Sequence, residues 1–141
     1  MKSREEAAYR LRLAEGYIEE AEKLRDAKLW RACVGSYQLA VENACKAIVA
    51  LFRPVIRTHE VSKLLLGLLA EEKFAENENQ DIEKLADYAR ILGLKEHILT
   101  DYGDELTYKV PWEIYREEHA KRAMEIATDA VRIAEKFIEQ K

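Results

Sequence analysis

An all-α fold, a five-helix up-and-down bundle of four long helices and one short, follows from three features of the 141-residue sequence. Apolar residues recur at steps of three and four along five segments. Glycine and proline are scarce, five and two in the whole chain, so few breakers interrupt those segments. The first two long segments are separated by almost nothing, which predicts an antiparallel hairpin.

The first helix is expected from about Ser3 to Ala27. Ser3 and Glu6 have the spacing of a capping box. Ala7, Leu11, Ala14, Ile18 and Ala21 mark one buried stripe, widened by Tyr17 and Leu24. The second helix is expected from about Lys28 to Phe52, with Trp30, Val34, Tyr37, Val41, Ala44, Ile48 and Leu51 facing the core. Arg53-Pro54 ends it, because proline disfavours a helical residue before it and breaks the hydrogen-bond ladder. The short third helix spans about His59 to Glu72, with Thr58 as N-cap and Val61, Leu64, Leu65, Leu68 and Leu69 as its apolar face. Phe74 to Gln80 is polar and asparagine-rich and reads as a loop. A fourth helix, capped near Asn79, is expected from about Asp81 to Leu99, with Ile82, Leu85, Ala89, Leu92 and Leu99 inward. Asp101 to Trp112 is rich in turn formers and aromatics and reads as irregular. The last helix begins at Pro111 or Glu113, since proline suits a first helical turn, and runs to about Glu139. Its stripe of Ala120, Ala123, Ala127, Ala130, Ala134 and Phe137, beside a second of Met124, Val131 and Ile138, predicts a wide buried face.

Composition frames the function. Hydrophobic residues are 48% and charged residues 35% of the chain, as in a soluble globular protein, and the length fits one domain over 1–141 with a core of its own. The apolar runs are too short to span a bilayer, and Met1-Lys2-Ser3-Arg4-Glu5-Glu6 lacks the apolar segment of a secretory signal. The expected location is cytoplasmic, with no membrane partner. A net charge of −4 argues against tight, non-specific binding of long nucleic acid, which calls for a basic face. Cys33 and Cys45 both fall on the apolar side of the second helix, about 18 Å apart at the helical rise of about 1.5 Å per residue. They cannot bridge each other there and read as buried, inert thiols.

Several chemistries lack their signatures. The glycines are scattered rather than gathered in a phosphate loop, and no Gly-x-Ser-x-Gly elbow is present. His59, His97 and His119 do not combine with cysteines at metal-ligand spacing. No cofactor and no metal is implied. One basic group does stand out: Arg53, Arg57, Thr58 and His59, at the turn into the third helix. Backbone N–H groups at a helix start favour an anion, so a nucleotide phosphate is a candidate guest; the simpler reading has Thr58 capping the helix and His59 packing in the turn. Glu42 and Lys46, four apart, support the second helix as an ion pair.

Three stretches together resemble the HEPN domain family, over about residues 5–138. Val41-Glu42-Asn43-Ala44-Cys45-Lys46-Ala47 is similar to the family's alanine-rich segment ending in Glu-x-x-x-Lys. Thr58-His59-Glu60, followed by leucine-rich residues, is similar to its Thr-His-Asp/Glu opening. Thr100-Asp101-Tyr102-Gly103-Asp104, with Pro111-Trp112-Glu113 and Tyr115, resembles a family stretch of the form Ser/Thr-Arg-Tyr-x-Asp, then proline and an aromatic. The resemblance implies a helical bundle tied to nucleotide and RNA chemistry and adds Lys46 and Tyr102 to the nucleotide- or phosphate-binding candidates. It also implies a homodimer working beside a small nucleotidyltransferase-type protein in a two-component, toxin–antitoxin-like pair. HEPN ribonucleases carry an Arg, four to six residues, then a His. Arg90 and His97 match, and on one continuous helix they would share a flank. Arg can hold the scissile phosphate, and His can move a proton near neutral pH.

Two departures weigh against catalysis. Ile91 stands where catalytic versions carry Asn, Asp or His, and Asp101 stands where the family pattern has Arg. The expectation is therefore a binding module for a nucleotide or a nucleotidyltransferase partner rather than an enzyme. Its rivals are a metal-independent endoribonuclease using Arg90 and His97, and a purely structural dimerising bundle.

Overall fold

The computed structural model describes residues 2–141 as seven helical segments. These are α1 (Lys2–Asp26), α2 (Trp30–Ala50), α3 (Val61–Ala70), α4 (Glu76–Ile91), α5 (Leu94–Tyr102), α6 (Pro111–Ile114) and α7 (Glu117–Glu139). Extended pairing among the described residues is limited to one isolated antiparallel bridge, Asp104 with Lys109.

α1 and α2 form the expected hairpin. The Cys33 thiol donates to the Ala21 carbonyl at 3.3 Å and the Ser36 hydroxyl to Glu20 at 3.1 Å, so the two helices run back along each other. Lys28 at the bend adopts φ 60°, with Leu29 N–H donating to the Leu24 carbonyl and Lys28 N–H to that of Arg25. That pattern closes α1 with a left-handed cap. α1 starts by Lys2, so Ser3 lies inside the helix rather than capping it.

α2 is the central helix and touches each of the other six. Most of its expected stripe is inside: Val34, Tyr37, Val41, Ala44 and Ile48 are buried, as are both thiols, while Trp30 and Leu51 at its ends are half-buried against the core. Burial pushes Cys33 up to about 11 and Cys45 further still, which keeps both protonated and unreactive at neutral pH. Ala7, Ala14 and Ala21 of α1, and Ala120, Ala123, Ala127, Ala130 and Ala134 of α7, are also buried, and these small side chains let both helices approach α2 closely. The three phenylalanines, Phe52, Phe74 and Phe137, close one end of the core with ring centroids 5.1–6.3 Å apart.

Three boundaries differ from the sequence expectation. The stretch assigned to a loop is helical from Glu76, and the cap is Ala75 rather than Asn79. The Glu78 carboxylate accepts from Ala75 N–H at 2.9 Å, and Glu76 and Glu78 suit the positive end of the helix. The expected fourth helix is two, split at Leu92-Gly93: a Cβ at residue 93 would overlap the Ala89 carbonyl oxygen, so only glycine permits this turn. The last helix is also interrupted. Pro111 opens the short α6, then Tyr115 and Arg116 are extended, and α7 starts at Glu117. Tyr115 is buried there, its hydroxyl donating to Glu96 on α5 at 2.6 Å, a tertiary bond that ties this break to α5.

Candidate functional site

A helix packed on all sides is expected to be apolar all round. α2 is not. Gln38, Glu42 and Lys46 recur at four-residue steps, and all three are buried. Lys46 Nζ donates to Glu42 Oε2 at 3.0 Å, and Gln38 Nε2 lies 3.4 Å from Glu42 Oε1. The side chains of Glu42 and Lys46 are only 5% and 9% exposed, so this is an internal ion pair and not the helix-surface pair expected from spacing alone. Such a pair adds little net stability against apolar replacements, since desolvation offsets the attraction. Its place in the middle of the core helix points to a job other than holding the fold.

Two other elements meet this ladder. His59, in the turn before α3, lies with Nδ1 2.5 Å from Glu42 Oε1. His97, on α5, lies with Nδ1 3.2 Å from Gln38 Oε1. The two imidazoles stack at 4.0 Å between centroids, 23° from parallel. Hydrogen-bond logic fixes their orientation. Burial alone would push the Glu42 carboxyl up, but the bonds from His59 and Lys46 outweigh it and hold it below its ordinary value. An ionised carboxylate accepts only, so His59 carries a proton on Nδ1. Gln38 turns its amide N–H toward Glu42, so its carbonyl accepts from His97 Nδ1–H. With Nδ1 of each ring so engaged, the two Nε2 atoms are the ring nitrogens left outside the cluster's hydrogen bonds.

The candidates expected from the sequence fall into two groups. Lys46, His59 and His97 converge, with Thr58 supporting them: its hydroxyl accepts from Glu60 N–H at 3.0 Å and shapes the turn. α3 is capped at Glu60 and begins at Val61, so Thr58 is not its N-cap, and His59 faces α2 rather than heading an anion site at the helix start. The others are not part of the cluster's hydrogen-bond network. Arg53 is engaged by both oxygens of Glu71 at 2.9 Å. Arg57 and Tyr102 are exposed. Arg90 is exposed on α4, across the Gly93 break from His97, so the single-helix alignment expected for the pair does not exist. Asp101, the departure from the family pattern, sits beside the cluster with Oδ2 3.7 Å from His97 Nε2.

Gln38 is the member that sequence reasoning missed. Its signal is the spacing: three polar residues at four-residue steps inside an apolar helix are an anomaly in the sequence itself. The stacking of His59 on His97 carries no local signal, because the residues lie on separate elements. A groove of about 280 Å³ opens beside His97, also lined by Glu20, Arg31, Ser36, Thr100 and Asp101. The site therefore offers an internal charge pair, two imidazoles and an adjoining opening: enough to recognise a polar ligand or exchange a proton with it.

The HEPN domain model matches residues 7–140. Among solved structures, the TT1696 protein from Thermus thermophilus superposes with a TM-score of 0.69 at 20% identity, covering 92% of this chain and 96% of that one, which shows a shared fold. Comparison with curated proteins returned no match. With the model match covering nearly its whole length, the chain belongs to the HEPN domain family.

Proposed function

We propose that this HEPN protein is a binding module. It takes a nucleotide, or a nucleotidyltransferase-type protein partner, at the polar cluster on α2, and acts as a homodimer in a two-component, toxin–antitoxin-like pair. The observation that carries the binding reading is the convergence of Gln38, Glu42, Lys46, His59 and His97 from three elements at one place beside a groove. Buried charge on a core helix is costly and weak as a stability device, so a ligand role accounts for it better than a structural one. The family resemblance supplies the nucleotide and the partner.

Calorimetric titration with ATP and GTP tests the nucleotide arm. Heat of binding is expected for at least one, and it should weaken at least tenfold in His97→Ala. Silence for both nucleotides would leave the partner arm, which co-expression with a nucleotidyltransferase encoded beside this chain would test.

A second reading, metal-independent RNA cleavage, is favoured by the His59–His97 stack, which sets two imidazoles side by side as acid–base groups. The exposed Arg90, on the far side of the Gly93 break, counts against it. RNA incubated without metal is expected to stay intact. Cleavage abolished by Arg90→Ala and His97→Ala would replace the binding reading with the ribonuclease.

A further inference from the structure

Eight of the twelve large apolar side chains left exposed among the described residues fall between residues 91 and 112, so this surface is concentrated rather than scattered singly. Leu94, Ile98 and Tyr102 stand four apart along α5, which puts them on one face of it. The chain then leaves α5 through a short hairpin that presents Leu106 and Tyr108, 93% and 90% exposed. It returns in α6, which packs back on α5 and carries Trp112, 68% exposed. An aromatic side chain carries about 150–250 Å², so Tyr102, Tyr108 and Trp112 alone uncover on the order of 400 Å². With Leu94, Ile98 and Leu106 added, the face passes the roughly 300–600 Å² that is the largest apolar patch of a typical monomer.

The hairpin is held, not slack. Asp104 and Lys109 exchange both backbone hydrogen bonds, at 2.8 and 3.1 Å, and the Asp104 carboxylate accepts from Leu106 N–H at 3.0 Å. Tyr108 adopts φ 58°, left-handed backbone of the kind that turns ordinarily give to glycine or asparagine. A bulky ring kept in that conformation and out in solvent gains nothing within the chain to offset the strain. It fits a contact preorganised for something outside the chain.

The rim of the face says what that something carries. Between residues 101 and 113, Asp101, Asp104, Glu105 and Glu113 stand against one lysine, Lys109. The negative end of the α5 dipole lies at the same place, where the helix ends at Tyr102. A second copy docked through this face would set these carboxylates against their own kind, and an anionic lipid surface would be repelled. Interfaces set opposite potentials against each other, so the matching occupant is apolar at its centre and basic at its edge.

We propose that this face docks an amphipathic helix of a partner protein. Its apolar stripe lies along Leu94, Ile98 and Tyr102 and against the hairpin tip, and its lysines or arginines meet the acidic rim. The three α5 residues at four-residue steps form the ridge that such a helix packs against. The face lies outside the polar cluster on α2 and needs no nucleotide there.

The probes are a helical peptide of leucine and lysine at heptad spacing and its leucine–glutamate counterpart, each carrying a fluorophore. Each would be titrated, with anisotropy as the readout, into the full chain as wild type, Tyr108→Gly, Ile98→Ser and Glu105→Lys. The lysine peptide should bind the wild type, more weakly as salt rises, and the glutamate peptide should not. Tyr108→Gly guards against misfolding: it relieves the left-handed backbone, so it should melt no lower than the wild type yet bind roughly tenfold more weakly. Ile98→Ser should weaken binding to a similar degree, and Glu105→Lys several-fold. No binding of the lysine peptide, equal affinity for the two peptides, or full affinity in Tyr108→Gly would each overturn the proposal. Sedimentation equilibrium in which Tyr108→Gly splits a wild-type oligomer would overturn it in favour of a second copy. Pelleting with phosphatidylcholine vesicles that is lost in Tyr108→Gly would overturn it in favour of a lipid surface.

Discussion

At Lys46 the buried ion pair makes a sharp prediction. Lys46→Met removes one partner and leaves the Glu42 charge internal, so unfolding free energy should fall by about 3 kcal/mol. Replacing both residues, Glu42→Leu with Lys46→Leu, should recover most of that loss in a denaturant titration, as apolar pairs of similar volume do. Acid should act at the same point. Glu42 sits below its ordinary value of 4.5 in the fold, so its contribution is complete above that value and disappears as pH falls through the lower folded value. Glu42→Gln, less stable throughout, should therefore lose less further stability than the wild type between pH 5 and pH 3. Asp101 places a negative charge beside His97. Asp101→Asn should tighten any anionic ligand at the cluster several-fold, read by calorimetry, as expected for removal of a partly screened like charge. At this scale the sequence is informative about identity and poor about company. Glu42, Lys46, His59 and His97 all stand out in it, yet their meeting depends on how α5 and the α3 turn pack on α2, and no local pattern encodes that.

Among the elements, α1, α2 and α7 are legible because each carries a long apolar stripe with no competing signal. α4 and α5 are not separable by periodicity: Ile82, Leu85, Ala89, Leu92 and Leu99 keep helical spacing straight through the break. Gly93 is the available clue, and its meaning lies in the Ala89 carbonyl that its missing Cβ leaves room for. Gly93→Ala should cost about 2 kcal/mol or more in thermal or chemical unfolding, because backbone must move to admit the methyl group. Gly103 is a second such point. It ends α5 at φ 75°, where a side chain would strike the Lys109 carbonyl, and it turns the chain into the loop that returns to α6. The contact between α1 and α7 brings two carboxyl groups together, Glu15 and Glu135. The hydrogen bond with Glu15, then burial, raises Glu135 to about 7. A carboxyl raised in the fold binds a proton that the unfolded chain releases, so stability falls as pH rises from about 4.5 to about 7. Glu135→Gln should flatten that window, by on the order of 1 kcal/mol after allowing for solvent screening, in thermal melts at pH 5 and pH 8.

For the whole molecule, the all-α architecture follows from periodicity and the scarcity of breakers, and the HEPN assignment from three ordered motifs. No helix among the described residues is long and apolar enough to cross a membrane. The functional reading turns on one arrangement: a central helix, buried against every other element, that gives up three of its core positions to Gln38, Glu42 and Lys46 and draws His59 and His97 onto them. The most direct test is calorimetric titration of ATP and GTP into the wild type and His97→Ala, each confirmed folded. A binding reading predicts saturable heat with at least one nucleotide in the wild type and affinity reduced at least tenfold in the variant. Equal affinity in both proteins would contradict the claim that the cluster on α2 is the nucleotide site.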